Sequence, residues 1–344
     1  LIPHPFVDHT HADALVTLMN TPRGEERVRD LYGDDVAVVP YRMPGFRLAR
    51  ACAQRLPGAL GPGTLGVVLL RHGLFTFGET AWETYERMIG LVTRAEEALV
   101  RAGAWNLPLP GPLPVPTPLR ELLAGLRLEV SGAAGRPMIL TCLPDPEALA
   151  FARRGNVAEI TSRGPATPDH VIYTRRVPLV GRDVAGYAEE YRREFADYAR
   201  TLDQPPTMLD PAPRVILDPI FGLAAAGRTA REAGIALDLY RHTLRMILRA
   251  ERLERWEALP ARDLFEMEYW ELEQAKLAAA GPPPPLAGTV VLATGVGGEV
   301  VQGLLALGAA VVAMGGGCGE PAPREARLEV ELGHADTAGP EGGV

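Results

Sequence analysis

Val7–Leu15 reads VDHTHADAL. In extended chain successive side chains point to opposite faces, so residues two apart project the same way. His9 and His11 therefore share a face and are spaced to hold one metal ion between them. From Asp13 to Met19 the pattern turns helical, and Thr21-Pro22-Arg23-Gly24 stops it. Working outward from this strand-to-helix passage, residues 27–33 read as a second short helix and Val36–Val39 as a strand. Pro40–Gly45 is a turn built from two prolines and a glycine. Phe46–Leu56 has apolar residues at near-helical spacing and leads into Leu65–Leu70 (LGVVLL), apolar throughout, as expected of a strand buried on both faces. Thr80–Leu99 then reads as an amphipathic helix with Trp82, Tyr85, Met88, Ile89, Val92 and Ala95 on one side. The class is α/β.

Two histidines make half a site, because a catalytic zinc takes three protein ligands and leaves a position open. His9 and His11 by themselves read equally well as surface or capping residues. The sequence holds seven histidines: His4, His9, His11, His72, His170, His242 and His334. His72 stands in Arg71-His72-Gly73, at the end of the buried strand, where α/β proteins place chemistry. It is the natural third ligand. Zinc held by three neutral imidazoles is a strong Lewis acid that polarises a ketose carbonyl, so that an adjacent carbon–carbon bond can break. Asp8 and Asp13 are suited to hydrogen bonds with the ring N–H groups of the ligands, and Asp13 equally to capping a helix. His170 is open as a fourth ligand or a substrate contact. His242, within a long helix pattern, reads as an ordinary packed or surface histidine, His4 between two prolines as structural, and His334 as part of a loose tail.

Composition narrows the rest. With 344 residues, 47% apolar and 23% charged, the sequence describes a soluble globular protein long enough for two domains. The net charge of −8 gives no basic face for nucleic acid. No apolar run approaches the roughly 18–20 residues that cross a bilayer, and no signal-peptide pattern opens the sequence, so no membrane partner is expected and the location is cytoplasmic. Cys52, Cys142 and Cys318 are scattered and odd in number, unlike a disulfide framework or a CxxC site. Of 35 basic residues Lys276 is the one lysine, and its polar helical setting reads as solvated surface, which disfavours Schiff-base chemistry.

Residues 107–118 carry six prolines in twelve residues and form an extended connector. The second region, 119–280, has strands at Pro137–Cys142, His170–Thr174 and Arg214–Leu217. Asp145 caps a helix with Pro146 at its first position. Asp183–Thr201 is a long helix whose Tyr187, Tyr191, Phe195 and Tyr198 stripe reads as core. Arg228–Arg252 is another long helix, and Phe265–Glu271 opens the last one. Residues 281–286 are a second proline-rich linker. In 287–314, Gly288–Ala293 is a strand, Thr294–Gly298 a glycine turn, Glu299–Leu307 a helix and Ala309–Ala313 a strand, the opening βαβ of a nucleotide-binding fold. Thr294, Gly295, Gly297 and Gly298 form a degenerate cofactor turn. Residues 315–344 read as an unstructured tail.

The set DHTHADAL, PYRMPGF and LLRHGLFTFGETAWETYERM resembles the class II aldolase and adducin family. RGPATPDHVIYTRRVPLVGRD, MLDPAPRVILDP and FEMEYWELEQAKL are similar to its bifunctional rhamnulose-1-phosphate aldolase/short-chain dehydrogenase group. The resemblance covers most of residues 1–313. It implies a class II aldolase-type αβα domain over 1–106, a family-specific α/β region, and an incomplete Rossmann-like unit over 287–314. It also implies Zn2+ on His9, His11 and His72, and retro-aldol cleavage of L-rhamnulose 1-phosphate to dihydroxyacetone phosphate and L-lactaldehyde. It further implies a nicotinamide cofactor (NAD) for the fused dehydrogenase, a small-molecule sugar phosphate as partner, and a homo-oligomer. The family's catalytic glutamate and phosphate loop precede its HxH pair. Here eight residues precede His9 and none is a glutamate, so both groups are expected upstream of Leu1, in a chain truncated at both ends. The dehydrogenase fingerprint keeps Gly295 but has Glu299 and Val301 where glycines belong, and no Tyr-x-x-x-Lys pair follows. NAD binding and dehydrogenase activity are therefore not expected from this chain. Two further readings stay open: another zinc enzyme such as a hydrolase, and a catalytically inactive folded remnant or assembly module.

Overall fold

A computed structural model describes residues 2–108, 119–143, 145–272, 275 and 282–314. Most of the first proline-rich linker, Lys276, and the 315–344 tail with Cys318 and His334 lie outside the described residues. Among the described residues no helix is long and apolar enough to cross a membrane.

The N-terminal region holds β1 (Phe6–Thr10), α1 (Asp13–Met19), α2 (Gly24–Tyr32), β2 (Val36–Val39), α3 (Phe46–Ala59), β3 (Gly66–Leu69), β4 (Gly73–Gly78) and α4 (Ala81–Arg101). The strands form one sheet in the order β1-β4-β3-β2. β2 and β3 are parallel, while β4 runs antiparallel to both β3 and β1. His72 thus follows the buried strand β3, as expected, and sits in the tight hairpin that turns the chain back antiparallel into β4. The helix α4 begins where expected, with Thr80 Oγ1 accepting from the Glu83 N–H, but its inner face is not the side that carries Trp82. Thr84, Met88, Leu91, Ala95 and Leu99 are buried, whereas Trp82, Tyr85 and Ile89 point outward. The aromatic residues sit one helical face away from the leucines that pack on the sheet.

The second region repeats the plan. It holds α5 (Leu119–Ala134), β5 (Ile139–Leu143), α6 (Pro146–Ala152), α7 (Val157–Thr161), a 3₁₀ turn at Pro168–His170, α8 (Val171–Thr174), β6 (Leu179–Val180), α9 (Val184–Ala199), β7 (Val215–Asp218), β8 (Gly222–Gly227), α10 (Ala230–Leu253) and α11 (Ala261–Glu268). Its sheet order is β5-β8-β7-β6, with β6 and β7 parallel and β8 antiparallel to β7 and β5. The registers match as well. Gly78 faces Phe6 and Leu74 faces Thr10 in the first sheet; Gly227 faces Ile139 and Leu223 faces Leu143 in the second. GLFTFGETAWE (73–83) and GLAAAGRTARE (222–232) share the two glycines, the leucine, and the threonine, alanine and glutamate of a helix cap. In both, the threonine accepts from the glutamate N–H and the glutamate side chain accepts from the N–H one residue before the cap, a close relative of the capping box.

Three expectations for this region are corrected. His170–Thr174 is a 3₁₀ turn running into a helix rather than a strand, because Pro168 favours a helix start and overrides the β-branched residues. The Phe265–Glu271 run closes α11 instead of opening it. The aromatic stripe of α9 is half-buried, lining a small cavity of about 50 Å³ with Phe265 and Tyr269. The Asp145 cap is present, its Oδ1 accepting from Glu147 N–H at 2.9 Å.

The two regions share one core. Every residue of α1 after Asp13 is buried, and a helix apolar on nearly all sides must be covered on nearly all sides. It lies against α4 and α10. Leu15, Met19, Leu91 and Leu99 join Phe151, Ile160, Leu217, Leu244 and Trp256 in one cluster. Asn20 at the end of α1 ties the regions further: its Nδ2 donates to the Ala166 carbonyl (2.7 Å) and its own carbonyl accepts from Glu257 N–H (2.8 Å).

Residues 290–314 form a separate parallel pair, β9 (Val290–Thr294) and β10 (Ala310–Met314), joined by α12 (Gly298–Ala306). This is the expected βαβ arrangement. Gly295 takes a left-handed φ of 65°, and Glu299 occupies the first turn of α12.

Candidate metal centre

β1 leads His9 and His11 to the edge of the first sheet, and the β3–β4 hairpin brings His72 beside them. The rings of His11 and His72 are 4.8 Å apart, and those of His9 and His72 are 5.3 Å apart. A potential ligand atom from each of the three imidazoles lies within 4.8 Å of the others. His9 Nδ1 donates to the Leu74 carbonyl at 3.0 Å. A carbonyl can only accept, so this bond fixes the proton on Nδ1 and leaves the Nε2 lone pair free. That Nε2 lies 2.9 Å from His11 Nε2.

The hairpin is shaped for this convergence. A Cβ on Gly73 would meet the Thr10 carbonyl oxygen at 2.5 Å and the His9 and His11 rings at 2.9 Å. Only glycine lets β4 pass under both rings. Arg71, next to His72, takes a left-handed φ of 62°, a conformation costly for a residue with a Cβ. Its guanidinium is held by Glu257 Oε1 (2.7 Å), the Ala258 carbonyl (3.0 Å) and the Glu257 carbonyl. The turn that presents His72 is thereby clamped by the second region.

Burial keeps all three imidazoles neutral. Desolvation pushes His9 and His11 below the ordinary histidine range. It pushes His72 down to about 3, with the neighbouring His11 and His9 adding to the effect. Neutral imidazole is the form that binds metal, so the donor set fits a divalent zinc-type ion.

The other sequence candidates fall elsewhere. Asp13 bonds to His242 Nδ1 (2.7 Å) rather than to a ligand ring, and it is the first residue of α1, not its cap. No hydrogen bond joins Asp8 to these rings among the described residues, and the His9 N–H is already taken by Leu74. His170 is buried, with Nδ1 3.4 Å from Thr243 Oγ1. Burial, with His11 adding to the effect, lowers its pKa to about 4. His4 is structural, stacked on Phe77 and paired with Glu79. His242, read as ordinary, instead lines an open cleft of about 490 Å³ beside His9, Thr10, His11, Asp13 and His170. Asp169 carries no ligand spacing of its own in the sequence. Its Oδ2 lies 3.6 Å from His11 Nε2 and 3.7 Å from His72 Nε2. Its one sequence signal is its place directly before His170, a candidate fourth ligand.

Residues 3–99 match the class II aldolase and adducin N-terminal domain, and residues 118–277 match the aldolase class II second domain. Over 326 residues the chain is 29% identical to a Bacillus subtilis (strain 168) protein named "Uncharacterized oxidoreductase YuxG", covering 87% of this chain and 46% of that protein. The chain thus spans about half of that relative's length. A solved structure, the N-terminal class II aldolase domain of a conserved protein from Thermoplasma acidophilum, is 40% identical over 28% of this chain and 44% of that one, with a TM-score of 0.26. This chain therefore contains class II aldolase/adducin family domains, the N-terminal one carrying the three-histidine cluster and the second domain packed against it.

Proposed function

We propose that the chain is a metal-dependent carbon–carbon lyase that cleaves a ketose 1-phosphate by a retro-aldol reaction. L-Rhamnulose 1-phosphate is the substrate that the sequence resemblance implies, with dihydroxyacetone phosphate and L-lactaldehyde as products. The supporting observation is the convergence of three imidazoles in a class II aldolase domain, two of which, His9 and His11, line an open cleft. His9, His11 and His72 hold the metal, which when bound polarises the substrate carbonyl. The Leu74 carbonyl fixes the His9 tautomer, and Gly73 keeps the space beneath the rings clear. Asp13 and His242, bonded to one another, offer polar groups on the cleft wall.

We further propose that residues 287–314 give no dehydrogenase activity on their own. Glu299 sets a negative charge at the helix start where a pyrophosphate would bind, and Val301 stands where close backbone approach needs glycine. The outward Trp82, Tyr85 and Ile89 of α4 support a homo-oligomer.

The deciding experiment is metal analysis of purified protein together with a coupled assay for dihydroxyacetone phosphate. The assay is run on this chain and on a version extended by upstream sequence. One zinc per chain and metal-dependent triose phosphate release support the reading. Zinc with ester or amide hydrolysis and no triose phosphate replaces it with a hydrolase, and zinc without turnover in either form with a non-catalytic module.

A further inference from the structure

Asp169 belongs to the second region, yet its carboxylate reaches across to the histidines of the first. It sits in the 3₁₀ turn Pro168–His170, where the sequence alone suggests a strand. Its Oδ2 is buried and has no hydrogen-bond partner. A buried carboxylate oxygen without a partner is expensive and calls for an explanation, a bound ion being one of the few available.

The geometry limits the choices. At 3.6 and 3.7 Å the Asp169 contacts with His11 Nε2 and His72 Nε2 are too long for hydrogen bonds. They are close to the separation of two donor atoms on one tetrahedral ion, which is about 3.3–3.6 Å for bonds of about 2.0–2.2 Å. The nitrogens facing the carboxylate include His11 Nε2, which also faces His9 Nε2. One proton on His11 serves a single neighbour. A cation between them serves Asp169 Oδ2, His11 Nε2 and His72 Nε2 at once, with His9 Nε2 beside His11.

We propose that Asp169 Oδ2 is the fourth protein ligand of the metal held by His9, His11 and His72, so that the second region closes a metal site built on the first. This rests on the three-histidine reading above and adds a residue to it, the substrate carbonyl then joining as a fifth ligand or displacing the carboxylate. The second sheet has no such cluster among its described residues, but its region supplies the charge that the first sheet's three neutral imidazoles lack.

The test uses the full chain loaded with Co2+, whose visible absorption reports coordination number and ligand type, and a chelator competition that gives affinity. The wild type is expected to take one Co2+ with an intense four-coordinate spectrum. Asp169→Asn is expected to weaken binding about tenfold or more and to shift and weaken the visible band. Asp8→Asn, removing the same charge from an exposed position, is expected to leave both unchanged. If Asp169→Asn keeps wild-type affinity and spectrum while His72→Ala loses the metal, the assignment of Asp169 falls and the three-histidine site stands. If the wild type takes up no cobalt, both fall. Should Asp169→Asn lower the melting temperature of the metal-free chain, Asp169→Glu decides. A spectrum like that of the wild type upholds the carboxylate ligand, and affinity as weak as that of the asparagine variant overturns it.

Discussion

The first and second sheets correspond strand for strand and register for register, but they meet solvent with different side chains. Where β1 places His9 opposite Phe75, β5 places Cys142 opposite Ala224. Where the first hairpin carries His72 just before Gly73, the second carries buried Phe221 just before Gly222. Both hairpins need their glycine, for different reasons. Gly73 clears two imidazole rings and a carbonyl. Gly222, at a φ of 85°, clears the backbone at Leu149, where a Cβ would meet the nitrogen at 2.8 Å. The scaffold thus tolerates either a polar, metal-competent hairpin or a packed apolar one, and the chemistry lies in a few positions rather than in the fold.

Substitutions at paired positions break or sharpen that contrast. The largest effect is expected at the third residue of each hairpin turn. His72→Ala should reduce bound zinc from one per chain to a small fraction, read by metal analysis, with little change in melting of the metal-free chain. Phe221→Ala should keep the zinc and cost about 3–5 kcal/mol in denaturant unfolding. The opposite pattern would mean that the roles of the two hairpins had been exchanged.

The glycines come next. Gly73→Ala should both destabilise the chain and abolish metal binding, because the added methyl strikes the Thr10 carbonyl and the rings together. Gly222→Ala should destabilise by about 1–3 kcal/mol while metal affinity is unchanged. The shared caps should behave alike: Thr80→Ala and Thr229→Ala should each cost about 1 kcal/mol with no loss of zinc.

The smallest effect is a matter of pH. Burial, and then the nearby Asp218, push the Cys142 thiol up to about 11. The reactive form is the thiolate, so raising the pKa removes it over the whole physiological range and restores it only as pH climbs past about 11. In a chain with Cys52 and Cys318 replaced by serine, alkylation by iodoacetamide should stay slow at pH 8 and increase steeply above pH 10. Rapid labelling near neutrality would show a chemically active second sheet.

How much of this could be read from the sequence depended on range. HxH spacing and a histidine followed by glycine are local signals, and His9, His11 and His72 do converge. The α1 boundaries, Asp13–Met19, match the expected helix because its cause is local too. Strands β4 and β8 were missed. GLFTFG has no clean alternation, and GLAAAG is a run of good helix formers forced into a strand by its neighbours. The doubled plan was carried by a short shared segment, whose glycine, threonine and glutamate positions are few against a background of changed side chains. Asp169 and His242 are not recognisable in sequence as neighbours of His11 and Asp13, because packing between distant parts of the chain brings them there, that of α10 on α1 in the case of His242. The outward setting of Trp82, Tyr85 and Ile89 is not legible either, because periodicity reports that a helix has an apolar face, not which of two apolar faces meets the sheet.

The helix α1 has a consequence for how the protein is assembled. Its residues belong by sequence to the first region, but all after Asp13 are sealed, by α4 on one flank and α10 on another. Cut between residues 109 and 118, the N-terminal piece would present a bare stripe of leucine, valine and methionine to water, and the C-terminal piece would present the matching groove. The two pieces are expected to recover native melting only when mixed, in the manner of a split protein. In the intact chain they are expected to unfold as one cooperative unit, with a single transition whichever half carries the probe.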